Sequence, residues 1–119
     1  MNHLDTKKKI LIFIPAYNVE KKIYSVVSRI PKNIFQDNSI EILIINDFST
    51  DNTTNEINRT LNDFDYKFEI YNTEKNYGYG GVQKFAFNYA IKHKFDFAIM
   101  LHGDGQYAPE ELPNFINNF

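Results

Sequence analysis

The chain has 119 residues, enough for a single domain with a buried hydrophobic core. Hydrophobic residues account for 43% of it and charged residues for 24%, which excludes wholesale disorder, and a formal charge of −2 gives no global field that would draw it to nucleic acid. Cysteine is absent, so disulfides and thiolate metal ligands are excluded. No apolar run reaches the roughly 20 residues that span a bilayer, and the N-terminus lacks the apolar region of a signal peptide, so we expect a cytoplasmic location.

The first predicted strand covers residues 10–14, a continuous apolar run typical of a strand that is buried on both faces of a parallel sheet. Pro15 ends this run, and a loop at 15–18 follows it. Apolar residues then recur at helical spacing up to Pro31, which predicts an amphipathic helix. The residues on its apolar face are Ile23, Val26, Val27 and Ile30.

The second predicted strand covers residues 40–45 and leads into the polar segment 46–51. Asp51 is the best candidate for capping the helix that follows, because Asp is a favoured N-cap residue. That helix is polar, and we expect it to be short, with Ile57 and Leu61 as its inward-facing residues.

The third predicted strand, 66–71, alternates between apolar and polar residues, as a half-buried strand does. The glycine-rich segment 76–81 then opens a helix that has Val82 and Ala86 on one face. The fourth predicted strand, 97–101, is another apolar run. It is followed by a turn at 109–112, and a last helix is expected to start near Pro113.

Strands and helices therefore alternate along the whole chain. This order predicts an α/β fold, a doubly wound, mainly parallel sheet with helices on both faces. We expect one domain over residues 1–119, with an ordered core from about residue 8 to residue 119. Because the last helical pattern runs to Phe119, we expect the fold to be incomplete at the C-terminus.

Residues that could bind a ligand are concentrated in the loops where the predicted strands end. Three such loops are 15–18, 46–51 and 102–106, and the glycine-rich 76–81 is a fourth. In an open parallel sheet, ligands bind outside the carboxyl ends of the strands, so these loops should share one rim. Carboxylate oxygens suit a divalent cation, and glycines let a diphosphate approach the backbone.

The segment after the fourth strand is a candidate metal site. His102, Asp104 and Gln106 are two positions apart, so in an extended segment their side chains lie on one side and converge. The alternative is that Gly103 and Gly105 flank Asp104 in an ordinary turn, since Asp and Gly are the commonest turn residues.

Other rim residues also have two interpretations. Asp47 can accept hydrogen bonds from a ligand, or it can cap the following helix. Gly78 and Gly80 precede a helix N-terminus and can cradle a phosphate, or they can simply form a loop. Tyr17 and Asn18 can offer an aromatic face and an amide to a nucleobase, or they can be part of a turn.

Four segments of the chain resemble the family 2 glycosyltransferases, the inverting enzymes that have the GT-A nucleotide-sugar-binding fold. They are the opening strand and loop at 12–20, the acidic turn at 44–51, the Asn-x-Gly segment at 76–81 and the Asp-x-Asp-like motif at 101–110. The last is similar to the Asp-x-Asp-x-Gln form of the dolichyl- and polyprenyl-phosphate sugar transferases. The four segments occur in the same order as in the family and together cover about residues 10–116.

The resemblance implies roles for individual residues. Those that would bind the nucleotide sugar are Pro15, Ala16, Tyr17, Asn18, Glu20, Asp47, Asn76, Gly78, Gly80 and Asp104. Of these, Asp47 would contact the base, and Gly78 with its neighbours would lie near the ribose and the diphosphate. A divalent metal, Mn²⁺ or Mg²⁺, would be held by Asp104, with His102 and Gln106 as further ligands.

This sequence departs from the family pattern at three positions. Asn46 replaces the first acid of the second motif, although Asp47 remains. Phe48 stands where the family usually has glycine. His102 replaces the first Asp of the Asp-x-Asp motif, which removes one negative charge from the site.

The resemblance also implies a function for the full-length protein. It would transfer a sugar with inversion from a UDP- or GDP-sugar to an acceptor hydroxyl or phosphate, in the synthesis of a cell-envelope polysaccharide or a glycolipid. A polyprenyl-phosphate acceptor would place it at the cytoplasmic face of a membrane. In this family the general base lies downstream of the Asp-x-Asp motif, so we expect it beyond Phe119 and expect this chain alone to be inactive.

Two other functions remain open from the sequence. The chain could be a non-catalytic nucleotide-binding or scaffold domain, which would bind ligand without transferring it. It could also be another nucleotide-binding α/β transferase, such as a nucleotidyltransferase. That class carries a basic, glycine-rich loop directly after the first strand, where this chain has 15–18.

Overall fold

A computed structural model describes residues 7–105 and 107–118. Its core is a four-stranded parallel sheet in the order β3-β2-β1-β4. The strands are β1 (Lys8–Ala16), β2 (Asn38–Asn46), β3 (Phe68–Asn72) and β4 (Phe97–Met100). The helices are α1 (Ile23–Ser28), α2 (Ile34–Asp37), α3 (Thr53–Asp63), α4 (Gly78–Lys92) and α5 (Leu112–Asn117), and a 3₁₀ turn covers Pro109–Glu111.

Helices cover both faces of the sheet, which confirms the predicted doubly wound α/β fold. On one face, alternate residues of β1 and β2 pack against α1, α2, α3 and α5. On the other face, Leu11 and Phe13 of β1 pack against Val82 and Ala86 of α4. Fully burying side chains of this size stabilises the fold by about 1.5–3 kcal/mol each, so the two central strands anchor the molecule.

Several elements differ from the sequence-based prediction. Strands β1 and β2 are longer at both ends than the predicted 10–14 and 40–45, and β1 continues through Pro15 to Ala16. The single-turn helix α2 was not predicted, because four residues are too few to show a helical period. Helix α3 has 11 residues rather than being short, and β3 begins at Phe68 rather than at residue 66. The 3₁₀ turn at 109–111 and the start of α5 at Leu112 agree with the prediction for this segment.

One acidic side chain lies inside the otherwise apolar run of β2. Glu41 is 7% exposed and accepts a hydrogen bond from the hydroxyl of Tyr89 on α4. Its other oxygen lies 3.3 Å from the Nζ atom of Lys67. The sheet and α4 are therefore joined by a polar contact as well as by apolar packing. Within the described part of the chain, every helix is too short or too polar to cross a membrane.

Candidate functional site

A cavity of about 400 Å³ opens at the carboxyl ends of the strands. Its size lies within the range of small-molecule binding sites. The structure brings most of the predicted nucleotide-sugar-binding residues to its wall. These are Pro15, Ala16, Tyr17, Asn18, Asp47, Asn76, Gly78 and Asp104.

Two predicted residues lie away from this wall. The backbone N–H of Glu20 points to the Oδ2 atom of Asp51 at 3.4 Å, below the rim. Gly80 lies in the first turn of α4 and has no atom within 4 Å of the position of a Cβ. Gln106 lies outside the described residues.

The wall also contains residues that the sequence did not single out. Tyr79 is 56% exposed at the start of α4 and faces the cavity, and Gly103 and Val82 complete the surface beside it. The sequence could have predicted Tyr79 as a cavity residue, because it lies between two glycines of a loop already assigned to the rim. For Val82 there was none, since it is also a core residue.

Asp47 joins the cavity to α4. It is 4% exposed, and its Oδ1 atom accepts hydrogen bonds from the backbone N–H of Tyr77 at 2.8 Å and the hydroxyl of Thr73 at 3.1 Å. Its Oδ2 atom accepts a bond from the N–H of Gly78 at 2.8 Å. The carboxylate thus neutralises the positive end of α4. Oδ1 already accepts two bonds, whereas Oδ2 accepts one among the described contacts, so the second lone pair of Oδ2 leaves acceptor capacity for a ligand.

Asn18 ties the first two loops together. It adopts a left-handed conformation with φ of 51°, which Asn tolerates better than most residues. Its Oδ1 atom accepts a bond from the N–H of Thr50 at 2.7 Å, and its own N–H donates to the Oγ atom of Ser49 at 3.1 Å. The amide that was predicted for a nucleobase is therefore already engaged in holding the rim together.

The two departures in the second motif have structural explanations. Asn46 donates to the Oγ1 atom of Thr54 at 2.9 Å and to the Oδ1 atom of Asn72 at 3.1 Å, which a carboxylate could not do. Its Oδ1 atom accepts a bond from Ser49 at 2.6 Å. Phe48 has a φ of 62°, a conformation that favours glycine. The turn is thus the same one that a glycine would make.

Asp51 fixes the start of α3 from one residue before the N-cap position, which is Asn52 and not Asp51 as predicted. Its Oδ1 atom accepts bonds from the backbone N–H of Thr53, at 2.9 Å, and from the hydroxyl of the same residue. Burial raises the pKa of Asp51, but these hydrogen bonds outweigh it and hold that pKa below its ordinary value. Thr53 in turn accepts a bond from the N–H of Val19 at 2.8 Å. This chain of bonds connects α3 to the first loop.

The loop after β4 is pressed against the end of β1. A Cβ on Gly103 would lie 2.8 Å from the carbonyl oxygen of Pro15, so this position requires glycine. Gly105 has a φ of +76°, which also favours glycine. The exposed side chain of Asp104 lies between these two glycines and faces the cavity. Residues 103–104 form a turn in which the N–H of Gly105 bonds to the carbonyl oxygen of His102 at 3.2 Å, so the segment is not extended as the predicted convergence of its side chains required.

His102 lies just behind the cavity wall. It is 9% exposed, and its Nδ1 atom is buried without a hydrogen-bond partner among the described residues. Its ring contacts the rings of Tyr79 and Tyr107, with centroids 5.7 Å and 5.0 Å away.

The segment that follows is anchored to α1. Glu110 makes two 2.8 Å contacts with the guanidinium of Arg29. This pairing holds the pKa of Glu110 below its ordinary value. Glu110, in the 3₁₀ turn, therefore helps to fix the position of the loop that carries Asp104.

The fold is that of glycosyltransferases of the GT-A class. A mannosyltransferase from Pyrobaculum calidifontis in complex with GDP-Man and Mn²⁺ superposes with a TM-score of 0.67 at 17% identity, over 90% of this chain and 30% of that one. TarS 1–349 of S. aureus in complex with UDP-GlcNAc gives a TM-score of 0.67 at 23% identity, over 92% of this chain and 30% of that one.

The chain belongs to glycosyl transferase family 2, whose sequence profile matches residues 11–119. It is similar to undecaprenyl-phosphate 4-deoxy-4-formamido-L-arabinose transferases. The one from Yersinia pestis (strain Pestoides F) is 30% identical over 92% of this chain and 33% of the relative. The one from Proteus mirabilis (strain HI4320) is 27% identical over 98% of this chain and 35% of the relative. The chain thus spans about a third of the length of these relatives.

Proposed function

We propose that this chain is the donor-binding part of an inverting, metal-dependent glycosyltransferase. The complete protein would transfer a sugar from a nucleotide-diphosphate sugar to an acceptor hydroxyl or phosphate. The observation that carries this proposal is the cavity at the carboxyl ends of the strands, whose wall combines an aromatic ring, carboxylates and a helix N-terminus. A nucleobase, ribose hydroxyls and a metal-bound diphosphate need these three kinds of partner.

The relatives support a particular class of donor and acceptor. The two solved structures named above hold GDP-Man with Mn²⁺ and UDP-GlcNAc, so we propose a GDP- or UDP-sugar as the donor. The curated relatives are named for undecaprenyl phosphate, so we propose a polyprenyl phosphate as the acceptor. Such an acceptor would place the complete protein at the cytoplasmic face of a membrane.

The residues after β4 fit a divalent ion that arrives with the diphosphate. Asp104 offers carboxylate oxygens at the cavity, and His102 offers a buried nitrogen without a partner among the described residues. Over residues 7–105 and 107–118 there is no group of three or more His, Cys, Asp or Glu placed to hold an ion. An ion shared with substrate phosphates needs only one or two protein carboxylates, because the phosphates supply further oxygen ligands. We propose Asp104, with His102 and Gln106, as the protein ligands.

The chain's own residues would orient the donor. The exposed ring of Tyr17 would stack on the base, and Asp47 would hold the start of α4 so that Gly78 approaches the ribose and the diphosphate. Gly103 would keep Asp104 at the cavity. The bound ion would stabilise the negative charge that develops on the leaving diphosphate. We expect this chain alone to bind donor without turning it over.

The proposal is tested by calorimetry with UDP- and GDP-sugars, with and without Mn²⁺. We expect one of the two nucleotides to bind in a metal-dependent manner and Asp104→Ala to weaken binding at least tenfold, as is usual for the loss of a group that supports a metal. A folded sample that binds neither nucleotide would contradict the proposal.

A matched control separates the role of Asp104 from a general effect of charge. Asp65 is also exposed and lies in the segment before β3, at the opposite edge of the sheet. Asp65→Ala removes the same charge and should leave donor binding unchanged. If the two variants weaken binding equally, Asp104 does not act locally. If the complete protein binds a nucleotide sugar but transfers nothing, the non-catalytic alternative is favoured.

A further inference from the structure

A second groove lies between α1 and the loop that carries Asp104. Its volume is about 280 Å³, and most of the residues that line it belong to α1 or flank this helix. Asp104 lines both this groove and the cavity at the carboxyl ends of the strands, so the two spaces are neighbours. Of the described residues that line the groove, none belongs to the loops 15–18, 46–51 or 76–81. We call it the α1 groove.

Positive charge dominates the wall of the α1 groove. Its positive side chains are those of Lys21, Lys22 and Arg29. Among the described residues, Asp104 is the one carboxylate that lines it. The two lysines are exposed, and neither forms a salt bridge within the described part of the chain. The hydroxyl of Ser25 adds a further hydrogen-bond donor, so the wall offers several donors to an anion.

Arg29 distinguishes this groove from a patch of solvated surface lysines. Its Nε and Nη2 atoms each donate to Glu110 at 2.8 Å, which fixes the guanidinium. The other terminal nitrogen, Nη1, lies 3.8 Å from the Cβ position of Gly105, where α1 faces the loop after β4. Neither of the two bonds to Glu110 uses Nη1, so its N–H groups can serve a ligand. Because the guanidinium is already fixed, it loses little conformational entropy when it binds one.

Gly105 leaves room for a ligand between α1 and the loop. A Cβ at this position would lie 3.6 Å from the Cγ2 atom of Val26, which also lines the groove, as well as 3.8 Å from Nη1 of Arg29. A longer side chain would therefore project into the α1 groove. Glycine, which the φ of +76° favours here, thus also keeps the groove open.

We propose that the α1 groove binds the phosphate group of the acceptor, which is a phosphate monoester. This inference rests on the proposed function and adds the site at which its acceptor is recognised. In that reaction an acceptor oxygen must reach the sugar carbon that is bonded to the donor diphosphate. The phosphate of the acceptor must therefore bind beside the donor, and the groove meets this requirement because Asp104 borders both spaces.

The chemistry of the groove matches a phosphate monoester better than a nucleotide. Such a group carries about two negative charges near neutral pH, and its oxygens accept hydrogen bonds. Lysine provides compact positive charges and arginine provides a planar set of donors, and both bind phosphate well. Among the described residues that line the groove there is no aromatic ring on which a base could stack. A phosphate whose organic part extends out of the groove fits this composition.

Calorimetry with geranyl phosphate, a short isoprenyl phosphate monoester that dissolves in water, tests the site. The protein is first saturated with Mn²⁺ and with UDP or GDP, whichever belongs to the donor that binds. We expect geranyl phosphate to bind to this complex. The double variant Lys21→Gln with Lys22→Gln should weaken that binding by roughly tenfold or more, the scale of one hydrogen bond to a charged group. The affinity for the nucleotide should stay unchanged.

The double variant Lys92→Gln with Lys94→Gln is the matched control. These lysines are also exposed, and replacing them removes the same charge. They flank His93, whose carbonyl oxygen accepts a bond from Lys9 at the start of β1, so they lie at the amino ends of the strands and away from Asp104. An equal loss in the control would show that geranyl phosphate responds to overall charge, and would overturn the inference. Thermal unfolding checks that each variant is folded.

Inorganic phosphate and geraniol separate the phosphate group from the chain. We expect inorganic phosphate to bind more weakly than geranyl phosphate, because the chain also buries apolar surface. Geraniol, which has no phosphate, should not bind. If inorganic phosphate binds as tightly as geranyl phosphate, the groove holds free phosphate rather than an acceptor, and the inference is overturned.

The remaining outcomes distinguish this inference from the proposed function. If the nucleotide binds but geranyl phosphate does not, the inference is overturned and the proposed function still stands. If Lys21→Gln with Lys22→Gln weakens nucleotide binding instead, the groove holds the donor diphosphate, which also overturns the inference. If neither nucleotide binds to the folded protein, the proposed function fails and the inference fails with it.

Discussion

Gly80 and Gly103 each belong to a Gly-x-Gly segment but have different surroundings. Both were placed in rim loops by the sequence, and Gly80 was assigned to the nucleotide sugar. In the structure, Gly80 is a helical residue with open space at its Cβ position, whereas Gly103 touches the backbone of β1. The requirement for glycine is therefore strict at one position and absent at the other.

Alanine at each position gives opposite expected results. Gly103→Ala should lower stability by about 1–3 kcal/mol, the usual effect of overpacking, and should weaken donor binding because the loop that carries Asp104 must move. Gly80→Ala should raise stability by up to about 1 kcal/mol, because alanine favours the helix. Thermal unfolding and calorimetry measure both effects. Unchanged donor binding in Gly103→Ala would show that this contact does not position the site.

For individual residues, the sequence predicted which positions lie at the rim better than it predicted their hydrogen-bond partners. Asp47 was placed at the rim because it follows a strand, but its partners Tyr77 and Gly78 lie thirty residues further along the chain. Asn18 was given two interpretations, a nucleobase contact or a turn, and in the structure it lines the cavity and also joins two loops. Hydrogen bonds between distant segments depend on tertiary packing, which no local pattern contains.

A buried polar contact joins β2 to α4, although the mostly apolar sequence of β2 gives no indication of it. Glu41 lies under α4 and is bonded to Tyr89. Burial and this bond raise the pKa of Tyr89. The hydroxyl of Tyr89 therefore keeps its proton at neutral pH and donates a hydrogen bond to Glu41.

Removing one hydroxyl tests this contact. Tyr89→Phe should lower the free energy of unfolding by about 1.5–3 kcal/mol, the usual contribution of a hydrogen bond to a charged group. Tyr24→Phe is the matched control, because it removes a 2.7 Å bond from a tyrosine hydroxyl to Asp63 at an exposed position. Chemical denaturation of both should show the larger loss for Tyr89→Phe. If both variants lose the same free energy of unfolding, the buried hydrogen bond contributes no more to stability than the exposed one.

Strand and helix positions were predictable because apolar runs and helical periodicity are local properties. All four strands and the four longer helical patterns were found from them. The single-turn α2 and the true length of α3 were missed. Helix α3 has polar residues on most of its surface, and its burial depends on three positions that include Thr53 and Thr60, which a hydrophobic pattern does not register.

At the scale of the molecule, the edge of the sheet formed by β4 carries an exposed apolar surface. Strand β4 is last in the order and pairs only with β1 among the described strands. Beside it, Phe87 is 48% exposed and Ile91 is 76% exposed, and together with Phe95 and Phe97 they line an apolar groove. Natural edge strands usually carry charges or prolines that prevent pairing, and the sequence of β4 has neither.

We therefore expect this chain to self-associate as its concentration rises, since an open edge and an exposed apolar surface both favour association. The double variant Phe87→Glu with Ile91→Glu should shift light-scattering measurements toward the monomer. Asn88→Glu adds charge to the same helix outside the groove and should change little. A parent that stays monomeric at high concentration would contradict this expectation.

The cavity joins residues from the two ends of the described sequence, Pro15 and Asp104. Within the sheet, Ile10 pairs with Ile40, thirty positions on, and with Phe97, eighty-seven positions on. Pairings across longer chain separations close larger loops and form more slowly, so β4 should be the last strand to dock. A ligand that bridges Pro15 and Asp104 would stabilise that docked state by mass action. Donor binding and the docking of β4 would then be thermodynamically linked. The nucleotide sugar would favour the state in which β4 has joined the sheet.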